Sequence, residues 1–75
     1  MKAYILVHIR TGEIQEVVKL LKRIDGVVEA HMTFGPYDAV AVVEGADVKS
    51  LGNIMAAEIQ PIPGVIETLT CLAVD

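Results

Sequence analysis

At 75 residues the chain has room for one domain, and its net charge of −4 with no basic run argues against binding nucleic acid through a phosphate-neutralising patch. Apolar residues make up 53% of it, above the usual share of about 45–50%, although so short a chain buries only roughly 60% of its unfolded surface. The excess implies that one face is covered by another subunit.

One cysteine, Cys71, excludes an internal disulfide, fits a reducing compartment and is expected as a small buried hydrophobe. The opening MKAYILVHIR lacks a small-residue cleavage site and Arg10 ends its apolar run too early for a signal peptide. No stretch reaches the ~18 apolar residues that span a bilayer, so a soluble, cytoplasmic protein with no membrane segment is expected.

Residues 3–9 (AYILVHI) are rich in β-branched and aromatic side chains and predict a strand. Thr11-Gly12 then offers a helix N-cap, with Glu13 in the first turn. Ile14, Val17, Val18, Leu21 and Ile24 recur at helical spacing, and Lys19, Lys22 and Arg23 gather at the helix end, where cations complement the macrodipole. Asp25-Gly26 predicts the stop, with Gly26 in the left-handed conformation after the last turn.

Residues 27–34 alternate, placing Val28, Ala30, Met32 and Phe34 on one side of a half-buried edge strand and Glu29, His31 and Thr33 on the other. A Gly35-Pro36-Tyr37-Asp38 corner follows, then a strand over 38–44 that is apolar on both parities and so central. Asp47 caps a second helix whose stripe is Val48, Leu51, Ile54, Met55 and Ile59; Gly52 within it suggests close packing, and Pro61 and Pro63 end it. Residues 65–74 predict the last strand, with Ile66, Thr68, Thr70, Leu72 and Val74 on one face.

The order is β-α-β-β-α-β. Ile24-Asp25-Gly26-Val27-Val28-Glu29 aligns with Ile62-Pro63-Gly64-Val65-Ile66-Glu67, the same helix-to-strand junction used twice. Two such halves predict an α+β, ferredoxin-like sandwich, a four-stranded antiparallel sheet with two helices on one face and the first and third strands central. The bare apolar face then packs against a copy of itself to make a dimer.

Catalytic signals are sparse. No Ser-His-Asp or Cys-His arrangement is legible, and no glycine-rich phosphate loop. His8 and His31 have no metal-binding spacing and read as sheet and edge residues. The expectation is a non-enzyme with no metal and no cofactor. Two readings of the 35–38 corner stand side by side. It can be a plain turn, in which Pro36 fixes φ and Asp38 bonds its own backbone; or Asp38 can hold a ligand ammonium with Tyr37 over its apolar body and N–H groups near Gly35 taking a carboxylate. Thr68 and Thr70, on one strand face, are equally divided between β-forming residues and hydroxyls for a small zwitterion.

Gly35-Pro36-Tyr37-Asp38, then Gly64-Val65, then Thr68-Leu69-Thr70 together resemble the effector-binding (RAM) domain of the Lrp/AsnC, or feast/famine, transcription regulators, and the likeness covers essentially the whole chain. It implies a βαββαβ dimer with facing sheets, dimers assembling further into octamers or similar rings, and free amino acids or related small molecules bound between dimers. The residues it places there are Gly35, Tyr37, Asp38, Thr68 and Thr70. Full-length members carry a helix-turn-helix domain before this one. A chain starting at the first strand is expected to be a single ligand-binding domain over residues 1–75 without direct nucleic-acid contact, either sensing alone or mixing with full-length Lrp/AsnC proteins. Two other readings remain: a small ferredoxin-like dimeric enzyme of monooxygenase or isomerase type, in which His8 or His31 serves, and a structural adaptor without ligand.

Overall fold

The computed structural model describes all 75 residues. Strand β1 runs Lys2–Ile9, helix α1 Ile14–Leu21, β2 Val27–Met32, β3 Ala39–Glu44, helix α2 Val48–Asn53 and β4 Val65–Leu72. All pairings are antiparallel and the sheet order is β2-β3-β1-β4, so the two strands that are apolar on both parities are indeed the central ones.

Alternation decides which side of the sheet each residue enters. Ala3, Ile5, Val7 and Ile9 of β1 and Ala39, Ala41 and Val43 of β3 are buried under the helices. The register sets Ile5 against Ala41 and Val7 against Ala39, so each large side chain faces a small one and the helices can come close. They fill that space with Val17, Val18 and Leu21 from α1 and with Leu51, Met55 and Ile59 from the second helical segment. Each fully buried Val, Leu or Ile here contributes about 1.5–3 kcal/mol.

That second segment departs from the expected stripe. Leu51, Met55 and Ile59 are spaced by four, whereas an α-helix turns every ~3.6 residues. After Asn53 the chain widens into a π-helix over Ile54–Ile59, and the Gln60 N–H donates to the Met55 carbonyl five residues back. The wider turn returns Ile59 to the core. Val48, expected inside, is exposed. So is Gly52, around which a β-carbon would meet open space, so close packing does not explain it.

The repeated junction is structural. The Val27 N–H donates to the Ile24 carbonyl and the Val65 N–H to the Ile62 carbonyl, both at 3.1 Å. Gly26 and Gly64 have φ of +97° and +101°, and each is followed by a register shift that leaves Val28 and Ile66 bulged out and exposed rather than in the expected rows. The halves interlock. Gly26, which follows α1, lies against Ile54 of the second helical segment, while Gly64, which follows that segment, lies against Val17 of α1.

Ends differ in detail. Glu13, not Thr11-Gly12, occupies the α1 N-cap, without a side-chain cap bond, and its carboxylate pairs with Arg10 at 3.2 Å. Helix α1 closes on Lys22, so Gly26 serves the turn into β2 rather than the helix cap. Strand β2 stops at Met32, leaving Phe34 wholly in solvent, and β4 stops at Leu72, leaving Val74 exposed. Asp47 caps α2 as expected, its Oδ1 accepting from the Ser50 N–H at 2.8 Å.

The side of the sheet away from the helices carries Tyr4, Leu6, Val40, Val42, Leu69 and Cys71. Tyr4 sits between Val42 and Cys71, and Leu6 between Val40 and Leu69, which makes one continuous apolar field. Within the single chain Tyr4 is 42% and Leu69 48% exposed. Cys71, expected to be buried, is exposed on this face, because its parity on β4 matches that of Tyr4 and not that of the core. No helix is long and apolar enough to cross a membrane.

Candidate functional site

The 35–38 corner is tied to the end of β1. The Thr33 N–H donates to the Asp38 carbonyl at 3.0 Å and the Asp38 N–H to the Val7 carbonyl at 2.9 Å. The Thr33 hydroxyl donates to the Tyr37 carbonyl at 2.9 Å. The carboxylate of Asp38 reaches across to β1, where its Oδ2 accepts the Ile9 N–H at 2.7 Å and lies 3.3 Å from Nδ1 of His8. The Tyr37 ring meets the His8 ring edge-on, with centroids 6.4 Å apart.

Asp38 is used structurally, but across the sheet rather than on its own turn, and one carboxylate oxygen carries both contacts. Oδ1 is free of protein partners among the hydrogen bonds formed. Gly35 has φ of +151° and open space around it.

His8 is the residue the sequence reading left out of the site. The pattern contained a signal, since His8 has the parity opposite to buried Val7 and Ile9 and so must emerge on the open face. What the pattern lacked was the distance: no local spacing connects His8 to a carboxylate 30 positions later.

Thr68 and Thr70 stand apart from this cluster. They pair with Val7 and Ile5 and so share the helix-covered side of the sheet, whereas His8 pairs with Glu67 on the open side. Strand β1 intervenes between β3 and β4, so Asp38 and Thr68 are separated by two strand spacings, roughly 10 Å, as well as by the sheet itself. The Thr70 hydroxyl donates to the Met55 sulfur at 3.5 Å and lines an open groove of about 300 Å³ between the second helical segment and β4, with Val48, Leu51, Ala56 and Leu72. One small zwitterion cannot touch both sets within a single chain. No group of three or more His, Cys, Asp or Glu side chains is arranged to hold a metal ion.

Residues 2–75 match the family described as the Lrp/AsnC ligand binding domain. The chain belongs to the Lrp/AsnC family. Among curated proteins it is 36% identical over 58 residues to the HTH-type transcriptional regulator Ptr1 of Methanocaldococcus jannaschii, a match covering 77% of this chain and 39% of that regulator's length. Among solved structures it superposes on TTHA0845 from Thermus thermophilus with a TM-score of 0.94 and 31% identity, covering 99% of this chain and 92% of that one. It shares the fold of the Neisseria meningitidis transcriptional regulator NMB0573, solved as a complex with L-Met, with a TM-score of 0.87 and 16% identity over 99% of this chain and 49% of that one. This Lrp/AsnC chain is thus a ferredoxin-like ligand-binding domain of the kind found in transcription regulators, and it spans well under half of the curated regulator that it matches.

Proposed function

We propose that this Lrp/AsnC domain is a non-catalytic, oligomeric regulatory module that binds a free amino acid in clefts between copies. The observation that carries the reading is the division of the candidate residues. Tyr37 and Asp38 gather around His8 at one end of the open face, while Thr68 and Thr70 lie on the opposite side of the sheet. Two chains can supply what one cannot. The ligand ammonium is taken by the Asp38 carboxylate, and the hydroxyls of Thr68 and Thr70 from a neighbour hold its polar end, with Gly35 leaving room at the corner.

The apolar field around Tyr4, Leu6 and Val42 supports a face-to-face dimer as the unit, and dimers joining into an octamer or similar ring supply the clefts. The L-Met complex of a regulator sharing this fold supports an amino acid as ligand. Relatives named as transcriptional regulators support a role in gene regulation rather than catalysis, exercised in the cytoplasm alone or by mixing with full-length regulators. The net charge of −4 supports leaving DNA contact to such a partner.

A thermal-shift survey of the twenty amino acids tests this. A ligand specific for the native state at a hundred times its Kd stabilises it by about 2.7 kcal/mol, which for a domain of this size raises Tm by roughly 10 °C or more. One amino acid or a chemically related few should shift the transition. A flat response to all twenty removes the amino acid from the reading.

A further inference from the structure

We propose that Phe34 is the plug joining one copy to the next, seated in the groove between the second helical segment and β4 of a neighbour. The proposal rests on the oligomeric reading above and specifies which surfaces meet. Phe34 is the chain's only phenylalanine and its side chain is entirely in solvent. An aromatic side chain can bury about 150–250 Å², and in the isolated chain Phe34 buries none of it. The corner that presents it is not loose. The Thr33 N–H bond to the Asp38 carbonyl, the Thr33 hydroxyl bond to the Tyr37 carbonyl and the Asp38 N–H bond to the Val7 carbonyl hold the backbone on either side. A plug held this way loses little freedom on docking.

The groove is the matching vacancy. It measures about 300 Å³, and Val48, Leu51, Met55, Ala56 and Leu72 supply a mainly apolar wall. Val48 and Leu72 are themselves exposed large hydrophobics. The occupant cannot be the chain's own Phe34. That residue lies beyond β2 at one edge of the sheet, the groove flanks β4 at the other, and β3 and β1 stand between. A second copy is the partner that brings the complementary feature.

Continuity with the candidate site favours this occupant over an unrelated peptide. Thr70 lines the groove, and Tyr37 and Asp38 follow Phe34 by three and four positions. Seating Phe34 of one copy there carries its Tyr37 and Asp38 toward the Thr-bearing strand of the other, which are the two halves separated within a single chain. Plug and groove are different patches, so every copy offers one of each and the contact repeats until it closes a ring.

The test uses the full chain and light scattering. Phe34→Ser removes the plug and Ala56→Trp fills the groove; each should reduce the particle mass to roughly half of the wild type or less, leaving the unit below the ring. Mixing the two variants should restore a larger particle containing both, because one retains the groove and the other the plug. Far-UV circular dichroism checks the folds, and Gly52→Leu obstructs the same groove should Ala56→Trp not fold. Wild-type mass in the variants, a mixture no larger than its components, or a wild type no larger than a pair overturns the plug. The amino-acid survey on the wild type reports separately: a thermal shift with Phe34→Ser at wild-type mass removes the plug and keeps the ligand, and the reverse pattern removes the ligand and keeps the plug.

Discussion

The carboxylate of Asp38 accepts the main-chain N–H of Ile9 at 2.7 Å, a bond between residues 29 positions apart. It fixes the 35–38 corner to the end of a central strand, and both contacts of the carboxylate fall on Oδ2. An observed structural role and the proposed binding role thus fall on one side chain, and substitutions can separate them.

Asp38→Ala leaves the Ile9 N–H, in a partly buried setting, without its acceptor. Losing a hydrogen bond to a charged group costs about 1.5–3 kcal/mol, so urea unfolding should show a loss in that range. Asp38→Asn retains an oxygen acceptor but no charge. It should keep most of the stability while weakening amino-acid binding by roughly 10- to 100-fold, measured by calorimetry. Equal affinity in the Asn variant and the wild type would show that the carboxylate does not meet the ligand.

The glycines divide by their surroundings. A β-carbon on Gly26 would stand 2.7 Å from Ile54 Cδ1, and one on Gly64 would stand 3.1 Å from Val17 Cγ2, both at positive φ. Gly26→Ala and Gly64→Ala should each destabilise by about 1–3 kcal/mol. Gly52 sits in α2 with nothing near its missing side chain, so Gly52→Ala should stabilise by about 0.5–1 kcal/mol. Denaturant midpoints of the three variants check the signs, and a stabilising Gly64→Ala would refute the interlocked junctions.

How far the sequence foretold this structure varies with the range of the interaction. Strand parity in 3–9 and 38–44 is local, and it located the central strands and the bare face. The repeated Ile-x-Gly-Val junctions were legible too, although their bulges at Val28 and Ile66 were not, because a bulge depends on the partner strand. The π-helical turn was hidden for a similar reason: Leu51, Met55 and Ile59 fit an α-helical stripe loosely, and only the sheet beneath demands that Ile59 return. Cys71 was misplaced because composition says that cysteines are buried, while register says which face this one enters. The 35–38 corner is legible from its Gly-Pro-Tyr-Asp pattern, but its contact with His8 is not, since that contact spans 30 residues.

Acid pH should single out the α2 cap. The Ser50 main-chain N–H, and then its side chain, hold the Asp47 carboxyl below its ordinary value of 3.8. A depressed carboxyl contributes stability above its unfolded value and loses it as pH falls through the folded one. The Tm gap between wild type and Asp47→Ala should therefore be full at about pH 7 and shrink below about pH 4. A gap unchanged at about pH 2 would mean that the cap acts without its charge.

The proposed assembly requires that the open face be covered by a copy of itself. Tyr4, Leu6, Val40, Val42 and Leu69 form one apolar field with no helix over it, and contiguous exposed apolar patches mark interaction surfaces. Light scattering of the purified wild-type chain across a dilution series tests it most directly. A particle of at least two chains that persists on dilution is expected; a well-folded, non-aggregating monomer at every concentration would rule the assembly out.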